Sequence, residues 1–177
     1  MTRGLAPLVV TLVLDAVSHE RFDALRREHF PAERNHLAAH VTLFHALPGE
    51  RLESVVADLR AAAGRDPFPV VVSGLRLLGR GVAYVLAAAE LSDLHAGLAT
   101  RWQPWLTTQD RQRLAPHVTV QNKVEPAAAR QLLAELSRDF ESYDVTATGL
   151  ALWRYEGGPW TAVRTEPFTK TELSRGK

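Results

Sequence analysis

Two closely matched quartets hold the residues of this chain that are best suited to chemistry. The segments His40–Leu43 (HVTL) and His117–Val120 (HVTV) each place a histidine two positions before a threonine. Side chains at i and i+2 of a strand point to one face, so we expect each His and Thr to project together and the apolar residues to face a core. An imidazole exchanges protons near neutral pH, and a hydroxyl hydrogen-bonds phosphate oxygens. The quartets therefore predict a site that acts on a phosphate.

Two imidazoles and two hydroxyls suit the hydrolysis of a cyclic phosphodiester. One of His40 and His117 would take a proton from water, and the other would give a proton to the departing ribose oxygen. Thr42 and Thr119 would hydrogen-bond the non-bridging oxygens. Since one ring must be neutral and the other protonated, the rate is expected to have a bell-shaped pH dependence. This chemistry needs neither a metal ion nor another cofactor.

The composition is that of an ordinary globular protein and excludes several classes of site. Of 177 residues, 46% are hydrophobic and 23% are charged, and the net charge is +1. The absence of cysteine excludes disulfides, Cys-ligated metals and a thiol nucleophile. The near-neutral charge argues against a partner such as double-stranded DNA. No apolar stretch approaches the ~20 residues that span a membrane, so we expect no membrane partner. We also expect the protein to be cytoplasmic and monomeric.

Strand and helix signals follow the same order in two halves, at about residues 8–78 and 82–168. Each half reads strand–helix–strand–helix–strand, and the two histidines lie 77 positions apart (117 − 40). This predicts one two-lobed α+β domain over residues 1–177, with pseudo-twofold symmetry and a polar tail at 169–177. A simple alternation of strands and helices is the other interpretation. Strands are predicted at Val9–Leu14, His40–Phe44, Phe68–Leu78, Val82–Ala88, His117–Val120, Val145–Tyr155 and Trp160–Thr165.

Helix signals lie between these strands. Ser18 is predicted to cap the first helix, and Pro126 is predicted to open the last one. The second helix is indicated by an apolar stripe at Leu52, Val55, Val56 and Leu59.

The paired quartets on a repeated layout resemble the two-histidine (2H) phosphoesterase superfamily, in particular its bacterial 2′–5′ RNA ligase-like branch. The resemblance runs from about Leu8 to Phe168 and includes the Gly-Gly-Pro-Trp segment at 157–160. It implies a duplicated α+β fold in which antiparallel sheets line a central cleft and helices lie outside. Members open 2′,3′-cyclic nucleotides, often leaving a 2′-phosphate, or reversibly join RNA ends through 2′–5′ linkages without a nucleotide cofactor.

The resemblance also implies roles for the quartets. His40 and His117 correspond to the acid–base pair, and Thr42 and Thr119 to the phosphate binders. In several relatives the second histidine handles the water and the first handles the leaving oxygen. The implied partner is a small phosphodiester or an RNA end that carries a 2′,3′-cyclic phosphate.

The sequence departs from the family pattern after each quartet. Many relatives have an arginine at the position of Asn122, which is followed here by Lys123. After the first quartet, the usual apolar-Gly turn is replaced by residues 45–49 (HALPG). These departures bear on specificity for RNA ends rather than on the chemistry.

Further candidates for substrate contacts come from strand parity and from aromatic residues. Gln121 and Lys123 share parity with His117, so we expect both to line the cleft and Lys123 to bind phosphate. A base is expected to stack on aromatic side chains. Packing in the core or solvation at a strand end is an equally good explanation of these residues. Surface arginines are further candidates for binding phosphate, although surface arginines usually bind none. The aromatic candidates are Phe44, Trp153, Tyr155 and Trp160, and the arginines are Arg111, Arg113 and Arg154.

Two other functions remain open at this point. Histidines with Asp or Glu could hold a hydrolytic metal ion, although His36 and His40 have a ligand spacing only on a helix. A non-catalytic sensor of nucleotides or RNA ends is the other alternative, although a pure binder would not need both proton-transfer groups. The histidines concerned in the metal hypothesis are His19, His29, His36, His40 and His45.

Overall fold

Seven strands and four α-helices make up the fold of the described residues. The structure is a computed structural model that describes residues 5–170. The strands are β1 (Leu8–Leu14), β2 (Val41–Leu47), β3 (Phe68–Leu77), β4 (Val82–Ala87), β5 (His117–Gln121), β6 (Tyr143–Arg154) and β7 (Thr161–Pro167). The helices are α1 (Ala16–His29), α2 (Leu52–Ala62), α3 (Ala89–Trp102) and α4 (Pro126–Ser137).

The strands form one antiparallel sheet in the order β2-β1-β6-β3-β4-β5, and β7 pairs with β6. Exchanging β1 with β4, β2 with β5 and β3 with β6 gives the same order, read from the other edge of the sheet. This order is what a twofold relation between the halves requires. The third strand of each sequence half lies beside the first strand of the other, since β6 pairs with β1 and β3 with β4. The predicted α+β class with antiparallel strands is confirmed.

The two quartets lie on the outermost strands of this order. His40 immediately precedes β2, and His117 is the first residue of β5. The sheet is so strongly curved that β2 and β5 approach each other, because twist accumulates from strand to strand. Curvature therefore brings together two motifs that lie at opposite ends of the strand order.

An equivalent β-bulge follows the threonine of each quartet. Thr42 is opposite Thr11, but the next pair is Phe44 and Val10, which leaves Leu43 as an extra residue. In β5 the same shift occurs between the pairs of Thr119 and Gln121, so Val120 is extra. A bulge reverses the alternation of faces beyond it. The strand parity read from the sequence therefore holds only as far as each threonine.

The apolar positions of the quartets face the core as predicted. Val41, Leu43, Val118 and Val120 are all buried. The second helix follows its predicted stripe, with Val55 and Leu59 buried. Pro126 opens α4 at a first-turn position, which confirms that prediction.

The predicted cap at Ser18 is wrong. Asp15 is the N-cap of α1, and its carboxylate accepts hydrogen bonds from the backbone N–H of Ser18 at 2.9 Å and from its hydroxyl at 2.7 Å. The helix thus begins before Ser18, which lies inside the first turn. The polar tail predicted at 169–177 lies outside the described residues from 171 onward. No helix within residues 5–170 is both long and apolar enough to cross a membrane.

Candidate functional site

The two quartet histidines are held by the same local hydrogen bond. The Nδ1 atom of His40 lies 2.8 Å from the carbonyl oxygen of Ala38, and Nδ1 of His117 lies 2.8 Å from that of Ala115. A carbonyl only accepts, so Nδ1 carries the proton and donates in both rings. In the neutral ring Nε2 is then an acceptor, and in the cation it is a donor. Each histidine therefore has Nε2 as the ring nitrogen that is free to exchange a proton.

Two cavities lie along the quartet strands, and each holds the histidine of one motif with the threonine of the other. His40 and Thr119 line a cavity of about 390 Å³, and His117 and Thr42 line one of about 190 Å³. Residues two apart on a strand are separated by about 6.6 Å, so the cavities are neighbours. The four side chains are partly exposed, so a ligand can reach each of them.

Burial disfavours the charged form of both imidazoles. It lowers the pKa of His40 below its ordinary value; the hydrogen bond to Ala38 opposes this, and the positive charge of Arg26 adds to the lowering. Burial likewise lowers the pKa of His117; the hydrogen bond to Ala115 opposes this, and Arg76 adds to the lowering. Both rings are thus predominantly neutral near pH 7, and a bound anion would favour their protonation.

A buried arginine connects the two halves beneath the site. Arg26 of α1 is only 4% exposed. Its Nη1 donates to the carbonyl oxygen of Thr119 at 2.9 Å, its Nε donates to Oδ1 of Asn35 at 3.1 Å, and its guanidinium lies 4.3 Å from the ring centroid of Phe30. This side chain holds the threonine backbone of one motif and places positive charge near the imidazole of the other.

The larger cavity collects three of the predicted substrate contacts. Trp160 packs against His40 with ring centroids 4.8 Å apart at 55°. Tyr155, which is 44% exposed, and Lys123, with a φ of 61°, line the same cavity. Lys123 lines this cavity because the backbone makes a left-handed turn there, after the end of β5. The strand parity on which the sequence prediction relied does not apply to it. Aromatic and cationic side chains thus line one cavity with His40.

Two predicted contacts do not face the site. Phe44 is fully buried and stacks on His95, with ring centroids 4.5 Å apart at 12°. Gln121 is 7% exposed, and its Oε1 has no partner among the described residues. The bulges at Leu43 and Val120 turn both side chains toward the core, so neither can stack on a base or line the cleft.

Sequence reasoning missed an imidazole–carboxylate pair beside the first quartet. The bulge at Leu43 brings His45 to the side of the cleft, where it lines the smaller cavity with His117. Its Nδ1 lies 2.9 Å from Oδ1 of Asp110, which is buried. The sequence signals at His45 were the departure of residues 45–49 from the family pattern and its place among the clustered histidines of the metal hypothesis. Asp110 carried no signal, because it lies 65 positions away.

The structure gives no group of three His, Asp or Glu side chains that could hold a metal ion within residues 5–170. His36 follows a short 3-10 turn and does not lie on an α-helix with His40. The helical i, i+4 spacing on which this pair of ligands depended is therefore not formed.

Comparison with known proteins places the chain in a family. The family model described as the 2′-5′ RNA ligase superfamily matches residues 14–159, which include both quartets. The chain belongs to this superfamily. The resemblance inferred from the quartets is thereby confirmed, and membership supports an enzyme of the phosphoesterase or ligase type. No curated protein matches this sequence.

Solved structures share the fold of this member of the 2′-5′ RNA ligase superfamily. TT0787 of Thermus thermophilus is similar with a TM-score of 0.65 and 15% identity, covering 93% of this chain and 98% of that one. Escherichia coli LigT in its apo form has a TM-score of 0.58 and 21% identity, covering 95% and 100%. LigT complexed with 3′-AMP has a TM-score of 0.55 and 20% identity, covering 94% and 99%. At these identities the likeness concerns the fold.

Proposed function

We propose that this protein is a metal-independent phosphodiesterase that opens a 2′,3′-cyclic phosphate on a nucleotide or an RNA end. The observation that carries the proposal is the matched Nδ1 hydrogen bond of His40 and His117. It fixes both rings in the tautomer that offers Nε2, and each ring shares a cavity with the threonine of the other motif. LigT, which has this fold, has been crystallised with 3′-AMP and with phosphate, and ligands of this kind suit the proposed site.

The reaction is a hydrolysis in which water adds across one P–O bond. Nε2 of the neutral imidazole takes a proton from water as its oxygen attacks phosphorus. The bond from phosphorus to one ribose oxygen breaks, and Nε2 of the protonated imidazole donates its proton to that oxygen. Thr42 and Thr119 hydrogen-bond the non-bridging oxygens. The product is a nucleoside phosphomonoester. When a ribose 5′-hydroxyl attacks phosphorus in place of water, the same ring opening forms a 2′–5′ phosphodiester, which is ligation, and the reverse of that step re-forms the cyclic phosphate.

The larger cavity supplies the groups expected for a nucleotide. Tyr155 and Trp160 offer aromatic faces on which a base can stack. Lys123, Arg34 and Arg26 supply positive charge, and no carboxylate is among the residues that line this cavity. The ligand we propose for it is therefore a base with its attached anionic phosphate. A cytoplasmic location and a monomeric state remain predictions from the sequence.

The test is hydrolysis of nucleoside 2′,3′-cyclic phosphates by the wild type, His40→Ala and His117→Ala, with and without a chelator. Each substitution is expected to lower kcat by about 10²–10⁴-fold, because each removes one acid or base. His36→Ala is the matched control, since it removes an exposed imidazole that lines the same cavity. Phosphorus NMR of the product shows whether a 2′- or a 3′-phosphate is formed.

The three hypotheses give different results in this assay. Chelator-resistant turnover that is lost in both alanine variants supports the proposal. Turnover abolished by the chelator and restored by added metal supports a metal-dependent hydrolase. Tight binding of a nucleoside 2′-phosphate without any turnover supports a non-catalytic sensor.

A further inference from the structure

His45 is fixed beside the site by a buried carboxylate. Asp110, whose side chain is 1% exposed, accepts hydrogen bonds from Nδ1 of His45 at 2.9 Å, from its backbone N–H at 2.8 Å and from the N–H of Ala46 at 3.0 Å. Because Nδ1 donates to the carboxylate, the free atom of the ring is Nε2. In the protonated ring this atom is a charged donor, and the Asp110 carboxylate balances the charge from behind.

Two arginines line the same cavity from other parts of the chain. Arg76 projects from β3, and Arg113 lies in the loop before His117. The one carboxylate among the lining residues is Asp110, which is buried and fully engaged by His45 and Ala46. In the part of the chain that the structure describes, neither arginine forms an ion pair. The cavity therefore has an excess of positive charge.

This charge is more than a single phosphate requires. In the proposed function, the scissile phosphate is bound by the two quartets with the cations of the larger cavity, and the base stacks on the aromatic residues of that cavity. His45, Arg76 and Arg113 line the smaller cavity together with His117 and Thr42. Cations gathered around a cavity of about 190 Å³ are suited to bind a compact, multiply charged oxyanion.

We propose that His45, Arg76 and Arg113 form a second anion subsite, which binds a further phosphate of the substrate. The inference rests on the proposed function for the identity of the scissile group, and it narrows the substrate class. At an RNA end with a 2′,3′-cyclic phosphate, the terminal nucleoside carries its next phosphate on the 5′ oxygen. The preferred substrate is thus an RNA end or another cyclic phosphate with a neighbouring phosphate, rather than a nucleoside cyclic phosphate without one.

The test compares two stable probes, adenosine 2′,5′-bisphosphate and adenosine 2′-monophosphate, whose binding is measured by titration calorimetry. The wild type is expected to bind the bisphosphate at least about tenfold more tightly, because charge-assisted hydrogen bonds are added. His45→Gln, Arg76→Gln and Arg113→Gln are each expected to reduce this preference by about three- to tenfold. The Kd of the monophosphate is expected to stay within about twofold in these variants.

Arg130→Gln is the matched control. It removes one exposed positive charge from α4, which contributes no lining residue to either cavity, so the preference for the bisphosphate should be unchanged. Lys123→Gln identifies the cavity that binds the second phosphate, since Lys123 lines the other one. A preference that is lost in Lys123→Gln and kept in the three test variants overturns the inference, as does equal affinity of the wild type for both probes.

The binding readout separates this inference from the proposed function. Hydrolysis of cyclic phosphates without any preference for a second phosphate overturns the subsite and leaves the catalytic proposal in place. A bisphosphate preference that depends on His45, Arg76 and Arg113, without hydrolysis, supports the subsite and overturns the catalytic proposal.

Discussion

The guanidinium of Arg26 donates a 2.9 Å hydrogen bond from Nη1 to the main-chain carbonyl of Thr119. This bond links a helix of the first half to the motif strand of the second half. It ends on the threonine that lies in one cavity with His40, and the charge of the same guanidinium lowers the pKa of His40 beyond the larger effect of burial. Arg26 is therefore a positioning residue with a separate electrostatic effect.

Arg26→Gln and Arg26→Lys are expected to separate these two effects. Both substitutions lose the forked contacts to Thr119 and Asn35, and unfolding free energy should fall by about 2 kcal/mol. Only the glutamine variant removes the charge, so only there should the pKa of His40 rise. NMR titration of the His40 ring and urea unfolding measure the two quantities. Equal His40 pKa values in the two variants would show that the charge has no effect.

Trp160 shields one face of the His40 ring, with ring centroids 4.8 Å apart. Burial is the largest cause of the lowered pKa of His40. Trp160→Ala is therefore expected to raise this pKa, because water gains access to the charged form. Trp160→Phe should keep it near the wild-type value. NMR titration of the ring distinguishes these results, and an unchanged or lower pKa in the alanine variant would contradict the expectation.

The pH profile of kcat/KM follows from the lowered pKa values of His40 and His117. The proposed mechanism requires one ring neutral and the other protonated, so the rate is expected to peak between the two pKa values. Both lie below the ordinary histidine value of about 6.5, and the optimum of kcat/KM is expected below about pH 6.5. The optimum of kcat should lie at higher pH, because the bound phosphate favours the protonated ring. A kcat/KM optimum well above pH 7 would refute this.

Thr42 and Thr119 are expected to contribute through their hydroxyls. Valine has nearly the same shape without the donor, so Thr42→Val and Thr119→Val should each lower kcat by about 10²-fold. Thr165→Val, at an exposed position of β7, is the matched control. Steady-state kinetics and thermal unfolding are measured together. A loss of activity that matches a loss of stability would mean that the hydroxyls are structural.

Asp110 is expected to be a large contributor to stability. Burial by itself raises the pKa of its carboxyl, but the hydrogen bonds from His45 and Ala46 outweigh burial, and the pKa is lowered. The carboxylate thus stabilises the fold above about pH 4, and this contribution is lost as the pH falls through the folded pKa. Asp110→Ala should lower the free energy of unfolding by about 3 kcal/mol at pH 7.

Urea unfolding at pH 7 and pH 3 tests this expectation. The difference between the wild type and Asp110→Ala should shrink at the lower pH, because the carboxyl of the unfolded chain, with an ordinary pKa of about 3.9, binds a proton there. Asp139→Ala removes an exposed carboxylate and should have little effect at either pH. A difference that is the same at both pH values would mean that the charge of Asp110 does not act through these hydrogen bonds.

Local sequence patterns were enough to predict the quartets, the order of strands and helices and the α+β class. An apolar run such as Val9–Leu14 is buried wherever its strand lies, and the i, i+2 relation of His40 to Thr42 holds on any strand. The repeated layout also indicated that the two quartets are equivalent. His40, Thr42, His117 and Thr119 could therefore be predicted as candidates before any packing was known.

Which other side chains lie beside these four depends on the packing of distant strands. The bulges at Leu43 and Val120 come from strand pairing, so local patterns left open whether Phe44 and Gln121 face the cleft or the core. Sheet curvature brings β2 to β5, and the pairing of His45 with Asp110 joins residues 65 positions apart. No local spacing encodes such contacts, because register and curvature are set by the whole sheet.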